Sequence, residues 1–288
     1  MTQNNIIVFY HKNCVDGTAA AAVLLRKFPE AKTVPLNFGE LENNFDDAKN
    51  NITPETQIYF VDTAFRLEEM IGLGKSIVVI DHHISEKARI ERIANENENI
   101  TYIFDNDESG STLAFKYLFP EEMVPDFLKY VKDIDLWQKK FTPESEWLHQ
   151  YLSTKRNFPE LLLPLFNLDN NLESFLASGK VLFDYVDLEV EMVTKISPLN
   201  VKIGDYLVPA FNITNHQSKS GNILSLKFNS VVILYSILGD KTRFSIRSFS
   251  GCVPNAREIA ETIEGGGGHD HAAGATVNTT DFLTSIQI

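Results

Sequence analysis

Apolar residues fall in short runs separated by polar, helix-forming stretches. Ile6–Tyr10, Thr33–Leu36, Gln57–Val61, Ser76–Ile80 and Ile100–Phe104 are brief and rich in β-branched and aromatic residues, so they read as strands. Between them, the Ala-rich Gly17–Phe28 is a good helix former, and Arg66–Leu73 and Ser85–Glu96 read as helices. This strand–helix rhythm predicts a parallel sheet covered by helices.

From Ser109 to Ile196 the rhythm gives way to helices, at Ser111–Phe119, Glu122–Asp133, Glu144–Lys155 and Phe158–Leu165. The stretch Leu172–Ile196 carries Leu182, Val186, Val190 and Val193 on one helical face. It reads either as a core helix or, preferably, as an arm joining two domains, because strand patterns resume after Pro198. Asn200–Ile203, Tyr206–Phe211, Val231–Ile237 and Arg243–Arg247 are the expected strands, and Ala256–Ile263 a helix. The expected class is α/β, with a parallel-sheet N-terminal domain and helical extension over 1–196. A smaller mixed-sheet α/β domain is expected over 197–288.

Composition narrows the function. With 288 residues, 43% of them hydrophobic, the chain can bury a substantial core, yet no apolar run reaches the roughly 20 residues of a membrane helix. Met1–Asn5 lacks a basic segment and Ile6–Tyr10 is too short for a signal sequence. Two cysteines, Cys14 and Cys252, are too few for a disulfide framework and fit a reducing compartment. The expectation is a soluble, cytoplasmic protein without a membrane partner. A net charge of −13 argues against a broad grip on duplex nucleic acid, which takes many Lys and Arg, but allows a short nucleotide held by a few local cations.

Chemistry-bearing residues gather at the strand ends. Ile6–Tyr10 is followed by His11-Lys12-Asn13-Cys14-Val15-Asp16-Gly17, Gln57–Val61 by Asp62, and Ser76–Ile80 by Asp81-His82-His83. In an open parallel sheet these ends share the edge where ligands bind. Each residue has a plainer alternative: Asp62 as a helix cap, His11 as a loop donor, His82 and His83 as caps of the next helix. Converging from three strands, they read together as a metal site. Imidazole with carboxylate suits Mn²⁺, Fe²⁺ or Zn²⁺ over Ca²⁺. A pair of such ions about 3.5–4 Å apart is the common device for phosphoester hydrolysis.

The second signal is Gly265-Gly266-Gly267-Gly268-His269-Asp270-His271-Ala272-Ala273-Gly274. Such a run is either a linker or an anion-binding loop whose backbone N–H groups approach a phosphate, aided by a following helix N-terminus. The small apolar residues after His269 favour the loop.

These motifs resemble the DHH phosphoesterase superfamily, DHH/DHHA1 type, over essentially the full length. Asp81-His82-His83 is similar to the name-giving motif, His11–Gly17 to the first motif, Asp62 to the second, and Gly266–Gly274 to the GGGH-xx-AAG signature of the C-terminal domain. Relatives include RecJ-like nucleases, oligoribonucleases, cyclic-dinucleotide phosphodiesterases and pAp phosphatases, which use two Mn²⁺ ions between their domains. The resemblance implies that His11 ligates one metal, Asp16 and His82 the other, and that Asp62 bridges both. His83 would contact the scissile phosphate and Asp81 would orient the pair. A further Asp ligand is expected at Asp133, with Asp135 in reserve. In the second domain Arg247, Gly266, Gly267, Gly268 and His269 would hold substrate phosphate, while His271 receives no role. One position departs: Cys14 stands where the family has Asp. It is either a ligand, shifting preference toward Zn²⁺ or Fe²⁺, or a small filler.

The implied activity is metal-dependent hydrolysis of phosphodiesters in short oligonucleotides or small nucleotides. A phosphomonoesterase or pyrophosphatase would share the metal site, although the sparse cations of the second domain favour a small ligand. A non-catalytic nucleotide-binding regulator with a decayed metal site is the alternative from another class. Oligomeric state is left open.

Overall fold

The structure is a computed structural model that describes residues 5–37, 43–167 and 172–287. Met1–Asn4, part of the stretch used above to argue against a signal sequence, lie outside the described residues. The chain divides into two compact units, Met1–Phe183 and Asp184–Ile288.

The first unit is built on five strands, β1 (Ile6–His11), β2 (Lys32–Leu36), β3 (Gln57–Val61), β4 (Ser76–Asp81) and β5 (Ile100–Phe104). All neighbours are parallel, in the order β2-β1-β3-β4-β5. Strand progression therefore reverses at β1, and the crevice outside the carboxyl ends of β1 and β3 is the switch point where open α/β sheets bind ligands. Alternation along β1 sends Ile6, Val8 and Tyr10 into one core and Ile7 and Phe9 into another, so the sheet is covered on both faces.

Helix α1 (Val15–Lys27) is buried from Val15 through Leu25. Its alanines at 19–22 let strands and helices approach from several sides. Helices α2 (Asn43–Asn50) and α3 (Ile84–Glu96) follow, then the helical extension of α4 (Gly110–Leu118), α5 (Asp126–Asp135) and α6 (Glu144–Ser153). Three expectations shift here. The segment expected as a helix over Arg66–Leu73 is a single 3₁₀ turn, Leu67–Met70, entered through a left-handed Arg66. Phe158–Leu165 is likewise 3₁₀, at Pro159–Phe166, with Pro164 unable to donate an α-helical bond. Helix α5 starts later than expected because Pro125 takes the N-cap position, and it runs on to Asp135.

Helix α7 (Leu172–Val193) contains the point where the two units part, upstream of Ser197. The second unit is a seven-stranded mixed sheet in the order β10-β11-β9-β8-β7-β6-β12. Its strands are β6 (Leu199–Ile203), β7 (Tyr206–Asn212), β8 (Val232–Leu238), β9 (Lys241–Arg247), β10 (Gly267–His269), β11 (Ala272–Asn278) and β12 (Ile286–Gln287), with only β7 and β8 parallel. Helix α8 (Gln217–Phe228) covers the face carrying Val232 and Leu234; α9 (Ala256–Glu261) and α10 (Thr279–Ser285) cover the other. Among the described residues, no helix is long and apolar enough to cross a membrane.

Candidate metal centre

At the end of β3, Asp62 adopts a left-handed backbone with φ 58°. Aspartate tolerates this conformation better than most residues. The bend aims its buried carboxylate across the switch point. Oδ2 lies 3.4 Å from His11 Nδ1, at the end of β1, and Oδ1 lies 3.1 Å from His82 Nε2, just beyond β4. The two oxygens of one side chain thus face two different imidazoles.

Two donor sets follow from this. The ligand atoms of His11, Cys14 and Asp62 lie within 4.8 Å of one another, as do those of Asp16, His82 and Asp135. His82 Nε2 is 3.5 Å from Asp135 Oδ2 and 4.0 Å from Asp16 Oδ2. Asp16 Oδ1 is held by the backbone N–H and hydroxyl of Ser111, while its Oδ2 has no partner. His11 Nδ1, Asp62 Oδ2 and Asp135 Oδ2 are also buried without a hydrogen-bond partner. Four orphaned polar atoms in one cluster would be costly without an occupant, and imidazole nitrogen plus carboxylate oxygen is the donor chemistry of a divalent transition ion. The residues present therefore fit a divalent transition metal.

Asp81 has a different task. Its Oδ1 accepts the backbone N–H of His82 at 2.8 Å and faces His83 Nδ1 at 2.7 Å. The carboxylate fixes the β4–α3 turn and the tautomer of His83, leaving that partly exposed ring its Nε2 for an outside group.

The electrostatics are those of crowded ligands. Burial, then the Asp62 charge, pushes Asp16 up to about 6. Burial, then Asp16 and Asp62, pushes Asp135 up to about 8. For His82 burial acts downward, but the hydrogen bond and charge of Asp62, with Asp16 and Asp135, carry the imidazole to about 9. Burial would raise Asp62, yet the His11 and His82 imidazoles facing its two oxygens hold it well below the usual carboxylate range. The Cys14 thiol is pushed up, first by burial and then by Asp62 and Asp16.

The expected ligand Asp133 is corrected by this geometry. Residues two apart on an α-helix point about 200° from each other, so only one of the α5 pair can face the strand ends. That one is Asp135. Asp133, fully buried, instead accepts Lys140 N–H, Phe141 N–H and the Ser145 hydroxyl, anchoring the start of α6. The sequence reading also missed Ser109-Gly110-Ser111. Ser109 caps α4 in a capping box with Thr112. A Cβ at Gly110 would stand 2.8 Å from Asp62 Cβ and 3.0 Å from Asp16 Oδ2, so only glycine lets both carboxylates lie there. The Ser109-x-x-Thr112 cap was readable in the sequence; the contact with Asp16 was not.

The His11–Cys14 loop is clamped from afar. Asn13, itself left-handed, receives the Asn157 side chain on its backbone N–H at 2.7 Å and on its own amide at 2.8 Å. Arg156 adds a bond to the Asn13 carbonyl.

The second-unit residues are placed separately. Ala272 pairs with Arg247 on one side and with His269 on the other, so Arg247 and His269 share a row and a face of the sheet, about 10 Å apart at two strand spacings. Arg247 is half-buried, donates to Ser218 Oγ at 3.1 Å, and is lowered from the ordinary guanidinium value by burial. Its aliphatic stem lies on Gly221 of α8, where a Cβ would come within 2.5 Å of Arg247 Cγ. His269 is exposed. The helix expected after the glycine run is absent: the chain enters the β10–β11 hairpin. Gly266 and Gly268 have packing reasons, since a Cβ at 266 would strike the Ala260 carbonyl at 2.2 Å and one at 268 the Ala273 backbone at 2.5 Å. A Cβ at Gly267, which pairs with Gly274, would meet nothing within 4 Å.

Comparisons with known proteins agree with this architecture. Residues 5–136 match the DHH family, N-terminal domain, and residues 205–287 match the DHHA1 domain. The chain belongs to the DHH phosphoesterase superfamily, of DHH/DHHA1 type. An uncharacterized protein of Acanthamoeba polyphaga mimivirus is 24% identical over 93% of this chain, which spans 66% of that protein, just under two thirds. A DHH-domain structure described as a member of the s1p family of ribosomal proteins superposes with a TM-score of 0.62 at 16% identity, covering 98% of this chain and 85% of that one. The structure of exonuclease RecJ bound to manganese gives a TM-score of 0.51 at 15% identity, covering 99% and 89%. At these identities the likeness is one of fold.

Proposed function

We propose that this chain is a metal-dependent phosphodiesterase that hydrolyses short oligonucleotides or small nucleotides with a pair of divalent ions, Mn²⁺ at least at one position. The observation that carries this reading is Asp62, whose two oxygens face separate donor sets while the surrounding buried atoms lack partners. His11, Cys14 and Asp62 would hold one ion; Asp16, His82, Asp135 and the other oxygen of Asp62 would hold the second. When bound, such a pair lowers the pKa of a coordinated water to yield a nucleophile near neutral pH and offsets charge on the phosphate.

The chain's own residues supply the rest. His83, its Nδ1 committed to Asp81, presents Nε2 to a phosphate oxygen and stabilises the charge that grows there during attack. Asp81 keeps that ring from turning. Ser111 holds Asp16 with one oxygen occupied and the other free. Arg247 offers a planar fork suited to a phosphate, and His269, in the same row, offers a second donor, which fits a substrate bearing two phosphate groups.

The experiment is a substrate panel of pApA, longer oligonucleotides, a cyclic dinucleotide, pAp and pyrophosphate, each with Mn²⁺ and with chelator. Mn²⁺-dependent cleavage of the dinucleotide, abolished in Asp62→Ala, is expected. Tight nucleotide binding without hydrolysis of any member would replace the enzyme with a nucleotide-binding regulator.

A further inference from the structure

The two donor sets differ in one element. Sulfur occurs in the His11, Cys14, Asp62 set and is absent from the Asp16, His82, Asp135 set. Cys14 occupies the N-cap of α1, where an oxygen side chain usually bonds the first turn, yet its thiol makes no capping bond. It belongs to none of the apolar clusters, whereas Cys252 is packed in the core of the second unit. Its backbone is fixed: the Cys14 carbonyl accepts both the N–H and the hydroxyl of Thr18, and the preceding residue is held by Asn157. The thiol is thus held beside His11 and Asp62 by the backbone at the start of α1. A second, independent feature lies against it: Asp62, 2% exposed, directs an unpartnered Oδ2 into the same set.

We infer that the centre is built for two unlike ions: a thiolate site at His11, Cys14 and Asp62 that selects Zn²⁺ or Fe²⁺, and an oxygen and nitrogen site at Asp16, His82 and Asp135 that takes Mn²⁺, with Asp62 shared. This rests on the two-metal reading above. Thiolate is a soft ligand that strengthens binding of Zn²⁺ and Fe²⁺, while a set of carboxylates with one imidazole favours Zn²⁺ less and admits Mn²⁺ where Mn²⁺ is in excess. On binding, the Cys14 S–H proton passes to solvent and a sulfur–metal bond forms, with no change of oxidation state.

The test uses the reduced, full-length protein loaded anaerobically with Co²⁺ as a spectroscopic probe. A near-ultraviolet sulfur-to-metal charge-transfer band is expected in the wild type and in Cys252→Ser. It should vanish in Cys14→Ser and in Cys14→Asp. In parallel, protein dialysed against Mn²⁺ in large excess over Zn²⁺, both above the protein concentration, is analysed for metal content. The wild type should hold one Zn²⁺ and one Mn²⁺ per chain, and Cys14→Asp should lower the preference for Zn²⁺ at the first site by about tenfold or more. Cys14→Asp restores a charged ligand and so retains metal even if Cys14→Ser folds poorly. Two bound ions without the band, and an unchanged Zn²⁺ to Mn²⁺ ratio in Cys14→Asp, would overturn the inference and leave the two-metal reading standing. Fewer than two ions in the wild type would overturn both.

Discussion

In the N-terminal unit, His11 Nδ1, Asp16 Oδ2, Asp62 Oδ2 and Asp135 Oδ2 are buried with no hydrogen-bond partner, and they belong to two adjoining donor sets. In the C-terminal unit the corresponding groups are differently placed: Arg247 is already bonded to Ser218, and His269 stands exposed on a short edge strand. Both units display their polar residues from a sheet, but the first from the carboxyl ends of parallel strands and the second from the face of a mixed sheet. Strand ends bring side chains from distant segments into a few ångströms and allow them to be desolvated together. A sheet face spaces them at about 4.8 Å per strand and leaves them wet. The first geometry suits an ion that must be enclosed by several donors; the second suits a flexible, larger ligand with spaced charges.

If that contrast is right, damage to the first unit is far more severe. Asp62→Ala removes the one side chain common to both donor sets and is expected to cut kcat about a thousandfold or more, because several kcal/mol of charge stabilisation goes with the metals. Metal analysis of the same variant should show both ions lost. Full activity in metal-replete Asp62→Ala would sink the two-metal reading.

The two aspartates of α5 sharpen the same point. Asp135→Asn should lower metal affinity by about a hundredfold while leaving the melting midpoint of the chelator-treated protein unchanged or higher, since it relieves carboxylate crowding. Asp133→Ala should do the reverse. It strands three donors, costing roughly 3 kcal/mol or more and lowering the midpoint by on the order of 10 °C. Calorimetry and metal titration of the pair decide which aspartate faces the centre; an Asp133 variant that melts normally but loses metal would reverse the assignment.

This pair also marks the limit of the sequence. Five parallel strands and the residues at their ends were legible because β-branched runs and polar strand ends are local signals. The division of the triplet Asp81-His82-His83 into an orienting carboxylate and two imidazoles came from the family resemblance and not from these local signals. The choice between Asp133 and Asp135 depends on the rotational phase of α5 against the sheet, which Pro125 and the packing of Phe127, Leu128 and Val131 determine. The Asn157 clamp and the Gly110 contact were hidden for another reason: each partner lies dozens of residues away, and neither leaves a periodic trace. The glycine run was recognised as a motif, but its hairpin arises from pairing with β9, a tertiary effect that composition does not carry.

A change in the second unit should be milder and should move a different constant. Arg247→Ala removes a charge-assisted contact worth about 1.5–3 kcal/mol, so KM for a substrate with two phosphates is expected to rise roughly 10- to 100-fold. Metal content and the melting midpoint should stay near wild type. A fall in bound metal instead would tie Arg247 to the metal-binding fold and erase the functional separation of the units.

The gentlest probe is pH, which acts on the first unit through its crowded ligands. Asp135 ionises near pH 4 in the unfolded chain but is held to about 8 in the folded one, and Asp16 to about 6. Between those values folding must hold protons that the unfolded chain has already released, so the metal-free protein loses stability as pH rises. His82 acts in the same direction. Its folded value of about 9 lies above the unfolded value near 6.5, so its pairing contributes fully below about 6.5 and is lost as pH climbs toward 9. Bound metal takes over from those protons, because it needs the same carboxylates and imidazole deprotonated. The melting midpoint of the Mn²⁺-loaded protein should therefore exceed that of the chelator-treated protein by a margin that widens by several degrees between pH 6 and 8.5. The margin should also widen less in Asp135→Asn, which no longer has a proton to give up at that position. A margin that stays flat in the wild type would mean that metal and proton do not compete for these side chains, and the donor set around His82 would have to be abandoned.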